Sequence, residues 1–507
     1  MKKAMKKLMA ALLAVAMVCA MAIPAFAAGG TEVPGSKVDV TKHSFEAYQI
    51  FSAKLDSGKL TDVEWGNGVK GTELLAALKT ATTLGDFSTC KNASEVADVL
   101  SKFNNEQATA FASFVAKSYL TITKTEGTGT ITLPSSGYYL IKDVTPVEGE
   151  YDASNLTLLL VSGAETVTPT VKTDIPTLQK KVKDKNDSTG ATTDWQDSAD
   201  YDIGDTIPYQ LTATLGDVSN FDTYYVEFVD TMTHLIYDSI TSVKVGDKTL
   251  NAGEYTSSWD STSKTLKVSI DNVKAHSATN GSKIVVEYTA TLDADAVIGF
   301  TGNPNEAHLI FSNNPNGEGK GQTQPDKNIV FTYKVVANKV DQDDIALPGA
   351  AFALYKKLPA VPSDGTSHIM EGDDAYAPVK ELNVGANGEV ADKELATFEW
   401  TGIDDGEYMI KEIITPAGYN SIEPIKFKVE AYHEIEADDP KLTELTGGDD
   451  FTGEVSTGTL TTKIENRMGS TLPGTGGIGT TIFYVVGGGL MVAAAVLLIT
   501  KKRMENR

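Results

Sequence analysis

The stretch Tyr408-Met409-Ile410-Lys411-Glu412-Ile413-Ile414-Thr415-Pro416-Ala417-Gly418-Tyr419 decides the fold. Successive strand residues face opposite sides of a sheet. Tyr408, Ile410, Glu412 and Ile414 therefore share one face, which is apolar except for Glu412. Pro416 and Gly418 end the run, since Pro cannot donate to a ladder and Gly favours turns. A strand that aims a carboxylate at its own core implies a partner there, because a buried charge is costly unless paired or neutralised.

Two neighbouring runs supply partners. Phe331, Tyr333, Val335, Ala337 and Lys339 share an apolar face, so Lys339 points inward. Leu460, Thr462, Ile464 and Asn466 share another, opposite the polar Thr461, Lys463, Glu465 and Arg467. Three strands thus send a Lys, a Glu and an Asn into one small sandwich. The bland alternative is that each lies at a strand end and reaches for water. The chemical reading is sharper. A desolvated Lys amine has a lowered pKa and becomes a nucleophile. A carboxyl beside it can shuttle protons and polarise a carboxamide, and the Asn carboxamide is the electrophile. Loss of ammonia would leave a Lys–Asn isopeptide bond.

The run from Tyr408 to Tyr419 resembles the E-box of Gram-positive pilins, found in their CnaB-type, Ig-like domain. The resemblance implies that Lys339 is the amine, Glu412 the catalyst and Asn466 the amide. A similar pattern lies upstream. Leu178, Lys180 and Val182 share a face, as do Tyr224, Val226, Phe228 and Asp230. Gly204-Asp205-Thr206-Ile207-Pro208-Tyr209 through Phe228-Val229-Asp230-Thr231 resembles the central, CnaA-like domain of backbone pilins, where an Asp replaces the Glu. This implies Lys180 as amine and Asp230 as catalyst. For the amide the resemblance favours Asn305, whose offset from Lys180 and from the next module is similar to the family's, with Asn313 on the same face as the alternative. Gly137-Tyr138-Tyr139-Leu140-Ile141-Lys142-Asp143 has an E-box flavour further upstream. The run Thr166–Lys172 has no Asn, so no bond is expected there.

Across the chain, short alternating runs rich in Val, Thr, Tyr and Ile recur between turn residues, the pattern of sandwich domains. A helical patch is expected within Thr72–Lys117, where Ala and Leu are dense. The fold class is therefore all-β, and the resemblance implies tandem Ig-like sandwiches of CnaA/CnaB type, the first with a helical insertion. The expected modules are 28–175, 176–335 and 336–467.

Both ends read as processing signals. Lys2, Lys3, Lys6 and Lys7 precede an apolar stretch from Leu8 to Ile23 and the small-x-small site Ala25-Phe26-Ala27, so residues 1–27 are a secretory signal peptide. Residues 468–507 hold a short stalk, Leu472-Pro473-Gly474-Thr475-Gly476, an apolar run at 478–500, and Lys501, Lys502 and Arg503. The run is long enough to cross a bilayer as a helix, with the basic cluster inside. The order resembles a cell-wall sorting signal, in which a sortase cuts between Thr475 and Gly476.

Removing both ends takes away eight Lys/Arg and one Glu, leaving 36 basic and 67 acidic residues. Such acidity argues against nucleic acid and anionic lipid as partners. Cys19 leaves with the signal peptide and only Cys90 stays, so the mature chain forms no internal disulfide. There is no HExxH, CxxC or P-loop, and the six His show no ligand spacing, so no cofactor or metal is expected. Asp341, Asp343 and Asp344 read as a solvated loop before a calcium site.

The resemblance, over nearly all of the mature chain, implies the shaft subunit of a sortase-polymerised surface pilus, anchored in the cell wall and supporting adhesion. It implies a class C pilin sortase, a housekeeping sortase, copies of the chain itself, peptidoglycan, tip or minor pilins and host surface ligands as partners. The chain is then a substrate, apart from its single-turnover self-cross-linking. The acceptor lysine in the family often sits in Tyr-Pro-Lys-Asn. This chain instead has Thr168-Pro169-Thr170-Val171-Lys172-Thr173-Asp174, which makes Lys172 the candidate. The alternative is a monomeric wall-anchored adhesin. A surface hydrolase has no catalytic constellation to support it.

Overall fold

The computed structural model describes residues 43–469 apart from 57–58, 145–156, 170–174 and 316–318, with a few isolated residues between 490 and 501. The signal peptide, Lys172, Thr475, Gly476 and most of the apolar run at 478–500 lie outside the described residues. Among the described residues no helix is long and apolar enough to cross a membrane.

The N-terminal region is built on strands Ser44–Asp56 and Gly137–Asp143, paired antiparallel. Alternation divides their side chains. Tyr48, Ile50 and Leu140 meet Leu74, Leu78, Val96, Phe111 and Val115 of three helices. Phe45, Ala47, Tyr139 and Ile141 face the other way, onto Ile131 and Leu133. The helices are Gly71–Leu78, Ala93–Leu100 and Asn105–Ser118, as the Ala/Leu density between Thr72 and Lys117 predicts. The third opens on a reciprocal cap: Asn104 accepts from the Gln107 N–H, and Gln107 accepts from the Asn104 N–H. Of the expected last strand, Thr166–Val167 is regular, and residues 170–172 lie outside the described residues.

The second sandwich stacks two sheets. In one, Thr206–Thr214 lies between Lys283–Leu292 and Thr177–Val182, with Lys180 opposite Leu211. In the other, Val226–Met232 lies between Thr265–Ile270 and Asn303–Ser312. Strict alternation in Thr206–Thr214 and Lys283–Leu292 drives Ile207, Tyr209, Leu211, Ile284, Val286 and Tyr288 into the core.

In the third sandwich, Tyr333–Val340 pairs antiparallel with Thr397–Ile403 and parallel with Thr459–Glu465, so Lys339 stands opposite Ile464. The facing sheet centres on Ala351–Lys357 and Gly406–Ile414. Trp400, Tyr408, Phe352 and Phe398 fill the space between. The first and last strands are thus neighbours, although parallel pairing demands a long crossover.

The expected boundary at 335/336 falls inside the strand Tyr333–Val340. The sheets change hands at Thr332, the single residue between Asp326–Phe331 and Tyr333–Val340. Thr332 is buried, and its hydroxyl donates to the Ile403 carbonyl at 3.2 Å. Nearby, Gly299 and Gly458 bring the two sandwiches into backbone contact; a Cβ on Gly299, at φ +88°, would lie 2.4 Å from the Gly458 nitrogen.

Candidate functional site

In the second sandwich Lys180, Asp230 and Asn305 are all fully buried. Lys180 enters from one sheet, whereas Asp230 and Asn305 lie on adjacent strands of the other, with Asn305 opposite Met232. Lys180 Nζ donates to Asp230 Oδ2 at 2.6 Å and to the Tyr288 hydroxyl at 2.8 Å. Tyr288 donates in turn to Asp230 Oδ2 at 2.6 Å and accepts from Asn305 Nδ2 at 2.9 Å. Tyr209 stacks on Tyr288 at 5.3 Å and closes the pocket. Burial pushes the Lys180 amine below its usual pKa, against the opposing pull of Asp230. Asp230 Oδ1 and Asn305 Oδ1 have no hydrogen-bond partner among the described residues.

Asn313 shares the apolar face but lies eight residues further along, roughly 26 Å at the rise of a strand. A third Asn was not anticipated. Asn328 pairs with Asn305 across the sheet, and its amide donates to the Lys180 backbone carbonyl at 3.0 Å, away from the amine.

In the third sandwich Lys339 and Asn466 are buried, while Glu412 is half-buried. The strand carrying Glu412 bulges at Ile413, since Phe352 pairs with Glu412 and Ala351 with Ile414. The Asn466 backbone N–H reaches the Val340 carbonyl at 3.0 Å, which sets Asn466 beside the first strand. Asn466 Nδ2 donates to Glu412 Oε1 at 2.8 Å. Glu412 Oε2 accepts from the Thr415 hydroxyl at 2.9 Å and the Ile422 N–H at 3.3 Å. Lys339 Nζ donates to the carbonyls of Val340 and Ile464 at 2.8 and 3.1 Å. Burial lowers the Lys339 pKa to about 8, with Glu412 acting in the opposite direction.

The N-terminal region differs. Asp143 is buried at the acid's place, but His43 Nδ1 lies 2.5 Å from its Oδ2. An imidazole therefore faces the acid where the other sandwiches offer an amine. The loop Asp341–Asp344 is consumed by the protein itself: Asp341 accepts the N–H groups of Asp343 and Ile345, and Lys463 binds both oxygens of Asp344.

Alternation placed Lys180, Asp230, Asn305, Lys339, Glu412 and Asn466 on core faces, and all but the half-buried Glu412 are buried. It did not find Tyr288, which bonds all three members of the second set. A Tyr on an apolar strand face looks like ordinary core, and only the topology brings it to Lys180.

Comparison with known proteins follows the same division. Residues 333–441 match a family model described as the SpaA prealbumin-like fold domain. Residues 466–506 match the LPXTG cell wall anchor motif. The chain thus carries a prealbumin-like sandwich and a cell wall anchor, and the anchor places it on the wall surface. Over 149 residues the chain is 28% identical to the trypsin-resistant surface T6 protein of Streptococcus pyogenes serotype M6, covering 27% of this chain and 23% of that protein. The match therefore spans about a quarter of that relative's length. Among solved structures, the T6 backbone pilin of serotype M6 Streptococcus pyogenes aligns at 16% identity and TM-score 0.47, over 85% of this chain and 97% of that one. The full-length major pilin SpaD from Corynebacterium diphtheriae aligns at 17% identity and TM-score 0.42, over 84% and 93%.

Proposed function

We propose that this chain is the shaft subunit of a covalent surface pilus, polymerised by a sortase and attached to peptidoglycan. The observation that carries the reading is a wall anchor motif placed directly after a prealbumin-like sandwich that buries a lysine and an asparagine, with a half-buried glutamate bonded to the asparagine. In this reading a class C sortase cleaves after Thr475 and holds its acyl group. Lys172 of the next subunit attacks, which releases the enzyme and joins the subunits head to tail. A housekeeping sortase transfers the finished polymer to the wall.

Within each subunit, Lys180 and Lys339 would close two internal isopeptide bonds. The neutral amine attacks Asn Cγ, and its proton passes to the nearby carboxylate, Asp230 or Glu412. The protonated acid donates to the amide oxygen as charge builds there, then returns the proton to the leaving nitrogen. One C–N bond forms, one breaks, and ammonia leaves. Each bond closes a long loop of chain, which limits the unfolded ensemble much as a disulfide does. A core closed in this way would resist proteolysis, the property named for the surface T6 protein.

The test of polymerisation is a gel of boiled cell-wall extract. The expected result is a high-mass ladder that Lys172→Ala abolishes while monomer stays on the wall. A single band from the unaltered chain would favour the monomeric adhesin. A ladder that survives Lys172→Ala would move the acceptor to another lysine.

A further inference from the structure

Two clusters of carboxylates meet where the second and third sandwiches join, and they differ in one respect. Asp187, Asp202, Asp205 and Asp404 each bring a carboxylate oxygen within 4.8 Å of the others. Lys356 supplies their counter-charge, with Nζ at 3.1, 2.9 and 2.5 Å from Asp187, Asp202 and Asp404. The adjoining cluster of Asp184, Asp200 and His433 is equally tight, with its three ligand atoms within 4.8 Å of one another. No lysine ion pair reaches it among the described residues. Asp200 is only 1% exposed; the Tyr333 hydroxyl stands beside its carboxylate, yet neither oxygen makes a well-formed hydrogen bond among the described residues. Asp184 Oδ1 is in the same position.

The histidine's tautomer follows from its neighbour. Ser198 Oγ spends its one hydrogen on the Glu434 carbonyl at 2.7 Å. It must then accept from His433 Nδ1, also at 2.7 Å. The lone pair of His433 is thereby fixed on Nε2, which lies 3.7 Å from Asp184 Oδ2. A lone pair facing a carboxyl group calls for a proton or a metal ion between them, and a metal ion can serve both carboxyl groups of the cluster at once. Two carboxylates and an imidazole whose other nitrogen is tied by hydrogen bond form the donor set of a transition-metal site.

We propose that Asp184, Asp200 and His433 bind a zinc or manganese ion that ties the second sandwich to the third. The imidazole selects these metals over calcium and magnesium, which prefer all-oxygen ligands. Ligands of a tetrahedral zinc stand roughly 3.3 Å apart, so the 3.7 Å gap between His433 and Asp184 needs only a small closure. Asp184 and Asp200 belong to the second sandwich and His433 to the third, so the ion's affinity adds to the stability of the joint by mass action.

The test uses the full chain in detergent, stripped with a chelator and titrated with zinc chloride and then manganese chloride. One equivalent of one of these ions should bind and raise the thermal transition. Asp200→Asn, which keeps the shape, and His433→Gln should each weaken that binding at least ~10-fold. Cobalt bound to the unaltered chain should show visible bands of a nitrogen- and oxygen-ligated ion, a readout that needs no variant to fold. Absence of stoichiometric zinc and manganese binding overturns the proposal. So does binding that both variants retain, which would mark adventitious attraction to an acidic surface.

Discussion

The second and third sandwiches bring together the same three kinds of group by different routes. In the second, the amine comes from one sheet and the acid and amide from the other, so the set lies mid-core with nothing exposed. In the third, the amine lies on one strand and the amide just past the end of its parallel neighbour in the same sheet, and only the acid crosses from the other. Depth decides the acid. A short Asp on a central strand suffices where the lysine already lies beside it. Where the set sits at the strand ends, the acid is a Glu reaching past a bulge. Depth also decides what holds the amine: a Tyr hydroxyl and a carboxylate in the second sandwich, two backbone carbonyls in the third.

The largest expected effect breaks this comparison at its deep end. Asp230→Ala leaves Lys180 buried with no carboxylate, which costs roughly 4 kcal/mol for a broken buried pair, besides any cross-link lost. Glu412→Ala removes a half-exposed acid, and the hydrogen bonds forfeited amount to about 1–2 kcal/mol. Calorimetry should therefore show the larger fall in the transition for Asp230→Ala; the reverse order would mean that depth does not set the cost. Each variant should also gain about 17 Da relative to the parent, the mass of the ammonia a Lys–Asn bond expels, after allowing for the substitution.

Asn305→Ala should return the same mass to the second sandwich, while Asn313→Ala should leave the deficit in place. A branched tryptic peptide at Asn313 or Asn328 would overturn the assignment.

The third sandwich gives a pH test. In Asn466→Ala the Lys339 amine stays free. Its folded pKa is lowered to about 8, below that of an unfolded lysine. The unfolded chain therefore binds more protons between about pH 8 and pH 10.5, and stability should rise with pH across that window, by on the order of 2 kcal/mol. Below pH 8 the full penalty for charging the buried amine is present. The cross-linked parent has no amine to titrate there and should lack this rise. Urea unfolding at pH 7.5 and pH 10 reads the difference.

The smallest effect is expected for Tyr288→Phe, which sharpens the contrast because in the third sandwich, among the described residues, no hydroxyl bonds the amine. The bond in the second sandwich should still form, but more slowly. Stability should fall by about 1 kcal/mol, the worth of one buried hydrogen-bond partner. Complete loss of the mass deficit would make Tyr288 indispensable to the chemistry.

Period-two alternation made much of this legible. Lys180, Asp230, Asn305, Lys339 and Asn466 all sit on faces that the flanking residues mark as core. Alternation has nothing to say where both faces are buried. Ala351–Lys357 is covered on both sides, so Lys356 stood out in no pattern. Asp184, Asp200 and His433 come from three separated segments and meet only through the joint between sandwiches. The change of sheet at Thr332 was not visible in the sequence for a related reason. Proline, glycine and polar runs announce linkers, and here the change of sheet takes one buried threonine.

That threonine has a mechanical consequence. A tether of several exposed residues would let the two sandwiches swing; Thr332 offers one pair of torsions, with its hydroxyl held by Ile403 and its carbonyl by the Gly299 N–H. The Gly299–Gly458 contact blocks rotation from the side. The two sandwiches should flex as one lever. Between the N-terminal region and the second sandwich the described contacts are of another kind: Lys117 and Asp222 meet as an exposed ion pair, a contact worth ~0.5 kcal/mol, beside a hydrogen bond from the Ser113 hydroxyl to Asn220.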